Sequence, residues 1–148
     1  MLDLDEIMID IETLGGPPDA IPVTIGVCEQ AGLKMNAGTL MWWMQQSREA
    51  QSSLISKDAR SLKQVLTQLG DYIREVRKKN HREKMCVWGN DPDFDMVILS
   101  SAYQAVGLLP PWNFWETRSV RTMVEIAERK HGFNKKRNFK REGTFHAA

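Results

Sequence analysis

The stretch Ile7-Met8-Ile9-Asp10-Ile11-Glu12-Thr13-Leu14-Gly15-Gly16 decides how the chain is read. Its apolar residues predict a buried β-strand over 7–11, broken at the glycine pair. Side chains alternate along a strand, so Ile7, Ile9 and Ile11 share one face and Met8, Asp10 and Glu12 the other. Two carboxylates therefore emerge together at the end of an apolar strand, with Cα atoms about 6–7 Å apart. Paired anions on half-buried backbone repel each other and resist desolvation, and a divalent cation removes both costs. An isolated Asp-x-Glu is ordinarily an exposed polar turn. The rest of the chain decides between these readings.

A length of 148 residues suits one domain spanning 1–148 with a single substantial core. With 42% hydrophobic and 26% charged residues, the composition is that of an ordinary globular protein. A net charge of +1 selects no class of partner, so local charge must do so. No apolar run approaches the ~20 residues of a membrane span. The acidic start, Met1-Leu2-Asp3-Leu4-Asp5-Glu6, is unlike a secretion signal. Cys28 and Cys86 each sit in an apolar run and are expected to stay reduced. These features predict a cytoplasmic protein with no membrane partner.

Working outward, Ile21, Val23, Ile25 and Val27 recur at period two and predict a second strand over 20–30. Residues 39–45 (Thr-Leu-Met-Trp-Trp-Met-Gln) are apolar on both faces and predict a third. Short spacing between the three runs predicts an antiparallel meander. Residues 46–57 are polar, a surface loop or short helix. Leu62, Val65, Leu66, Leu69, Tyr72, Ile73 and Val76 form one stripe and predict a helix over 58–79, with Ser56 or Asp58 as its cap. A short buried strand over 85–88 follows, then a helix over 94–106 closed by Gly107. A strand-like piece at 112–115 precedes a helix over 119–130 ended by Gly132. The order predicts an α/β fold, a mixed sheet flanked by helices, similar to the ribonuclease H-like arrangement. The tryptophans at 42, 43, 88, 112 and 115 are expected in the core.

A second acidic cluster, Trp88-Gly89-Asn90-Asp91-Pro92-Asp93-Phe94-Asp95, falls at a strand-to-helix junction, where catalytic groups of α/β folds commonly lie. Asp91 and Asp93 read as helix caps. Asp95 follows a phenylalanine that can anchor the turn and fix its carboxylate. Further on, Lys135, Lys136 and Arg137 belong to a basic run, 129–141, interleaved with Phe133 and Phe139. Cations alternating with aromatics suit a single-stranded nucleic acid, its backbone and its bases.

Asp10 to Gly15, Asn90 to Asp95 and Gly143-Thr144-Phe145-His146-Ala147, in that order, resemble the three motifs of the 3′–5′ exonucleases of the proofreading (DEDD) superfamily, histidine type. Trp88-Gly89, Pro92 to Asp95, Pro111 to Trp115 and Arg118-Ser119-Val120-Arg121-Thr122 are closest to its phage- and prophage-encoded branch. The resemblance covers nearly the whole chain. It implies that Asp10, Glu12 and Asp95 are metal-binding carboxylates for two Mg²⁺ or Mn²⁺ ions and that His146 is the general base. It also implies that Thr13 and Leu14 lie near the terminal nucleotide, with Asn90 on the substrate side, and that the partner is single-stranded nucleic acid or a 3′ end. The family's third motif continues to an Asp five residues after the His, whereas two residues follow His146 here. The expectation is therefore a C-terminally truncated domain of impaired activity. It would lack the helix that packs on the sheet and cover the bared strip by forming a homo-oligomer, a dimer. The competing expectation is an inactive remnant serving as a nucleic-acid-binding or structural module.

Overall fold

The computed structural model describes residues 6–20, 22, 33–52, 60–79 and 85–132. Its sheet consists of β1 (Glu6–Met8), β2 (Cys86–Gly89) and β3 (Thr117–Ser119), in that spatial order. Both pairings are parallel, with Ile7 opposite Val87 and Val87 opposite Thr117. The Ile9 N–H donates to the Trp88 carbonyl at 2.8 Å, which carries the ladder one step past β1 and sets Asp10 at its end. Parallel neighbours need long crossovers, usually helical. Between β1 and β2 come α1 (Ala37–Met44), α2 (Arg48–Ser52) and α3 (Leu62–Lys79). Between β2 and β3 comes α4 (Asp95–Ala105), and α5 (Val120–His131) follows β3.

The core lies on the Ile7–Val87 side of the sheet. Ile7, Ile9 and Val87 pack with Leu62, Leu66 and Ile73 of α3 and with Met96, Leu99, Ala102 and Tyr103 of α4. The Tyr103 hydroxyl donates to the Leu66 carbonyl at 2.8 Å and pins α4 to α3. Burial pushes that phenol up to about 12, with the opposing influence of Arg74 smaller. Met8, on the opposite side of β1, remains 59% exposed. Among the described residues, no helix is long and apolar enough to cross a membrane.

The antiparallel meander is corrected to a parallel sheet, and the main cause is the segment 39–45. It forms α1, not a strand. Asn36 accepts a hydrogen bond from the Thr39 N–H at 3.1 Å and caps the helix start. One turn of helix then turns Trp43 inward and leaves Met41, Trp42 and Met44 outside. A short run of apolar residues carries no period that separates strand from buried helix, so the cap decides. The predicted strand over 20–30 falls mostly outside the described residues; Ala20 and Pro22 make isolated bridges to Lys34 and Thr13. The strand-like piece at 112–115 becomes a 3-10 turn, Phe114–Glu116, with β3 immediately after it.

The helix boundaries hold more closely. Ser61 caps α3, exchanging hydrogen bonds with Gln64 in both directions, while Ser56 and Asp58 lie outside the described residues. Within α3, Leu62, Leu66 and Ile73 are buried, but Val65 and Tyr72 are exposed. Gly107 and Gly132 take φ of 72° and 62° after α4 and α5, the left-handed geometry a helix stop requires. No α5 residue is buried, and Met123 is exposed. Trp43 and Trp112 are core, but Trp42 and Trp115 are 41% and 56% exposed, against expectation.

Candidate active site

The three carboxylates picked out in the sequence line one cleft of about 750 Å³. That size is within the usual range for a ligand site. Asp10, Glu12 and Thr13 reach it from the segment leaving β1. Asn90, Asp91 and Asp95 come from the turn between β2 and α4, Trp42 from α1 and Arg121 from α5.

The segment after β1 is held by α1. The Trp43 indole N–H donates to the Thr13 carbonyl at 2.9 Å, and the Asn36 N–H donates to the Leu14 carbonyl at 2.7 Å. The Thr13 hydroxyl donates to the Gly15 carbonyl at 2.8 Å and tightens the turn. Leu14 is 1% exposed and belongs to the core; Thr13 is the member of that pair on the cleft wall.

The second turn aims Asp95. The N–H groups of Phe94 and Asp95 both donate to the Asp91 carbonyl, at 2.9 and 3.0 Å, and start α4. Asp95 is buried, at 3% exposure, and its Oδ2 accepts from the Asp91 N–H at 3.2 Å. The backbone of Ile11 and Asn90 also favours the charged form of its carboxylate. Ile11 lies between Asp10 and Glu12. Gly89 makes room for it, since a Cβ there would lie 2.9 Å from Asp95 Oδ2. Burial raises the Asp95 carboxyl above its ordinary range. The charge of Asp10 adds to the rise, and the backbone donors offset only part of it.

Such a carboxylate fits a hard divalent cation. It is anionic, desolvated, faces another acid, and has no Lys or Arg ion-paired to it among the described residues. All three acids offer the oxygen donors that Mg²⁺ and Mn²⁺ take. Among the described residues, no three His, Cys, Asp or Glu side chains converge tightly on one point as they stand. Asp10 is exposed at the mouth of the cleft, while Glu12 is half-buried and engaged.

The remaining expected residues divide. Asn90 is on the cleft. Asp93 lines a separate groove beside α4. Asp91 caps nothing with its side chain, which pairs with Arg121 at 3.0 Å. His146, Lys135, Lys136 and Arg137 lie outside the described residues. Sequence reasoning missed Arg121 and Trp42 as cleft residues. Arg121 falls in the stretch Arg118–Thr122, which by itself signals no role for it. The pointer to Trp42 was the cap at Asn36, which turns residues 39–45 helical and rotates adjacent tryptophans to different sides.

A model of the Rv2179c-like domain, described as a 3′-5′ exoribonuclease domain, matches residues 27–148. The match includes Asn90, Asp91, Asp95 and Arg121 and begins after Asp10 and Glu12. No curated protein and no solved structure matches the chain. The matched span takes in most of the chain, including the β2–α4 turn that delivers Asp95 to the cleft, and the chain belongs to the Rv2179c-like family of 3′-5′ exoribonuclease domains.

Proposed function

We propose that the protein is a metal-dependent exoribonuclease that removes nucleotides from RNA 3′ ends at the Asp10–Glu12–Asp95 cleft. One observation carries this reading: carboxylates far apart in sequence line one cleft, in a chain of exoribonuclease family. The parallel sheet with acids at its strand ends is compatible with a ribonuclease H-like core of the DEDD type. Asp10, Glu12 and Asp95 would hold two divalent ions. Such ions, when bound, polarise a phosphodiester and lower the pKa of water.

The chain's own residues supply the rest. Burial of Asp95 and its bond from the Asp91 N–H fix one carboxylate against rotation, so that one oxygen donor is in place before substrate arrives. Thr13 and Trp42 form walls against which a sugar and a base can lie. His146 is assigned the proton of the attacking water, the general-base role for which imidazole is suited. Lys135, Lys136 and Arg137 are assigned to the backbone of the incoming strand.

The test is nucleotide release from single-stranded RNA labelled at either end, with Mn²⁺ or Mg²⁺. The expected result is loss of a 3′ label as mononucleotide in the first turnover and shortening of 5′-labelled RNA one step at a time. Internal cuts, or equal release by Asp10→Asn and Asp95→Asn variants, would overturn the proposal.

A further inference from the structure

The cleft carries four acids, Asp10, Glu12, Asp91 and Asp95, and among its described lining residues one cation, Arg121. Arg121 sits in the first turn of α5, where the helix dipole disfavours a cation. That turn contains no acid, although acids are what it favours. Its placement therefore works against helix stability. It is not explained by packing either, because the side chain is 65% exposed.

What holds Arg121 in place is the β2–α4 turn. Its Nη1 donates to Asp91 Oδ2 at 3.0 Å, and its backbone N–H donates to the Asn90 carbonyl at 3.4 Å. The guanidinium is thus held over the turn that delivers Asp95. An ion pair this exposed contributes little to stability, so its arginine is easily released. A guanidinium engages phosphate through paired N–H donors, and a phosphate competes well with one half-exposed carboxylate.

We propose that Arg121 is the phosphate-binding residue of the cleft and that Asp91 holds it in place until substrate enters. The incoming phosphate exchanges for Asp91 as the guanidinium's partner. The anion is thereby met by a positive group in a cleft otherwise lined with negative ones. This rests on the exonuclease reading for the identity of the ligand, a nucleotide phosphate. The binding step itself is readable without turnover.

The test compares binding of adenosine 5′-monophosphate and adenosine, in Mn²⁺ buffer, to wild type and to Arg121→Ala, Arg121→Lys, Asp91→Asn and the Asp91→Asn/Arg121→Ala pair. Unfolding curves check that each variant folds. Arg121→Ala should weaken the monophosphate about tenfold or more and leave adenosine unchanged. Lysine should fall between, as a point charge without the fork. Asp91→Asn should tighten the monophosphate about threefold by freeing the arginine, and the double variant should match Arg121→Ala. A merely structural ion pair predicts the same direction for both single variants, and that result would overturn the proposal. So would equal monophosphate affinity in wild type and Arg121→Ala while Asp10→Asn still abolishes RNA degradation; the nuclease reading would then stand without this one. Arginine-dependent monophosphate binding with no RNA degradation would support phosphate binding and remove the nuclease reading alone.

Discussion

Asp95 and Glu116 are both carboxylates, both 3% exposed, and both sit beside the β2–β3 sheet with backbone N–H groups donating to them. Their surroundings differ in one respect. Glu116 receives the Arg77 guanidinium at 3.0 Å, together with the Asn113 N–H at 2.7 Å and a backbone donor from Met85. Burial alone would push its carboxyl up, but these donors together bring it below the ordinary range. Asp95 has a backbone donor but, among the described residues, no guanidinium, and it feels the charge of Asp10; its carboxyl is held above the ordinary range. Glu116 joins the segment before β3 to α3 and is satisfied within the fold. Asp95 is held in a fixed geometry and left electrostatically incomplete. Breaking a buried pair leaves an uncompensated charge, so Glu116 and Arg77 depend on each other, whereas Asp95 is available to the cation proposed above.

Neutralising each residue should separate the two roles. Asp95→Asn should lower RNA degradation by at least ~100-fold, since even partners of metal ligands cost about 10–100-fold when removed. Glu116→Gln should leave the rate per folded molecule close to wild type. Nucleotide release from 3′-labelled RNA, normalised to the folded fraction, reads both. A Glu116 variant as impaired as the Asp95 variant would erase the distinction.

Gly89→Ala moves the Asp95 carboxylate without changing it. The new Cβ would lie 2.9 Å from Oδ2 and 3.4 Å from the Asp95 Cβ, so the side chain must shift. A displacement of that kind should reduce activity ~100-fold. Crowding should reduce stability by about 1–3 kcal/mol. Denaturant unfolding together with rate measurements checks both. Full activity with Ala at this position would show that the position of Asp95 is not what the cleft depends on.

On the other side of the comparison, Glu116→Gln should cost about 2–3 kcal/mol at neutral pH, reduced from a fully buried pair because Arg77 is 30% exposed. The folded carboxyl lies below the unfolded value near 4.5, so its contribution is fully present above that value and lost as pH falls through the folded one. The stability gap between wild type and Glu116→Gln should therefore close as pH falls below the ordinary value of 4.5. A gap independent of pH would mean that shape, not charge, makes Glu116 necessary.

The sequence made one of these two carboxylates legible and hid the other. Asp95 lay in a recognisable strand-to-helix cluster whose spacing from the Asp10 motif carried a resemblance. Glu116 lay between an aromatic pair and a polar tripeptide, with nothing local to announce that Arg77, distant in sequence, would reach it. The same contrast runs through the fold. α3 is readable because its apolar spacing holds over several turns, and α4 and α5 because a glycine stops each. Residues 39–45 were not, because an all-apolar run of one or two turns gives strand and helix equal claims, and Asn36 outside it decided the outcome. Parallel pairing is hidden for the same reason: a strand at 39–45 would leave connections too short for crossovers. Arg121 and Asp91 are 30 residues apart, Asp91 at a helix start where an acid reads as a cap, and only the folded chain brings the two together.

The smallest expected effect tests the electrostatic half of the comparison without substrate. If the charge of Asp10 adds to the rise of the Asp95 carboxyl, the metal-free cleft contains a repulsion that Asp10→Asn removes. A carboxyl raised in the folded state contributes stability fully present below its ordinary value of 3.8 and lost as pH rises through the folded value. Wild type in chelator should thus lose some stability as pH climbs from about 3.8 toward neutral, and the Asp10→Asn variant should lose less. At pH 7 the variant should be more stable by about 0.5 kcal/mol, a modest figure because Asp10 is exposed and water screens it. Adding Mn²⁺ should reverse the order, stabilising wild type by mass action and the variant little. Urea unfolding at two pH values, with chelator and with Mn²⁺, reads all four conditions. An Asp10→Asn variant less stable than wild type in chelator would mean that Asp10 is held by attraction within the fold. The contrast between a carboxylate completed by Arg77 and one left for a cation would then lose its basis.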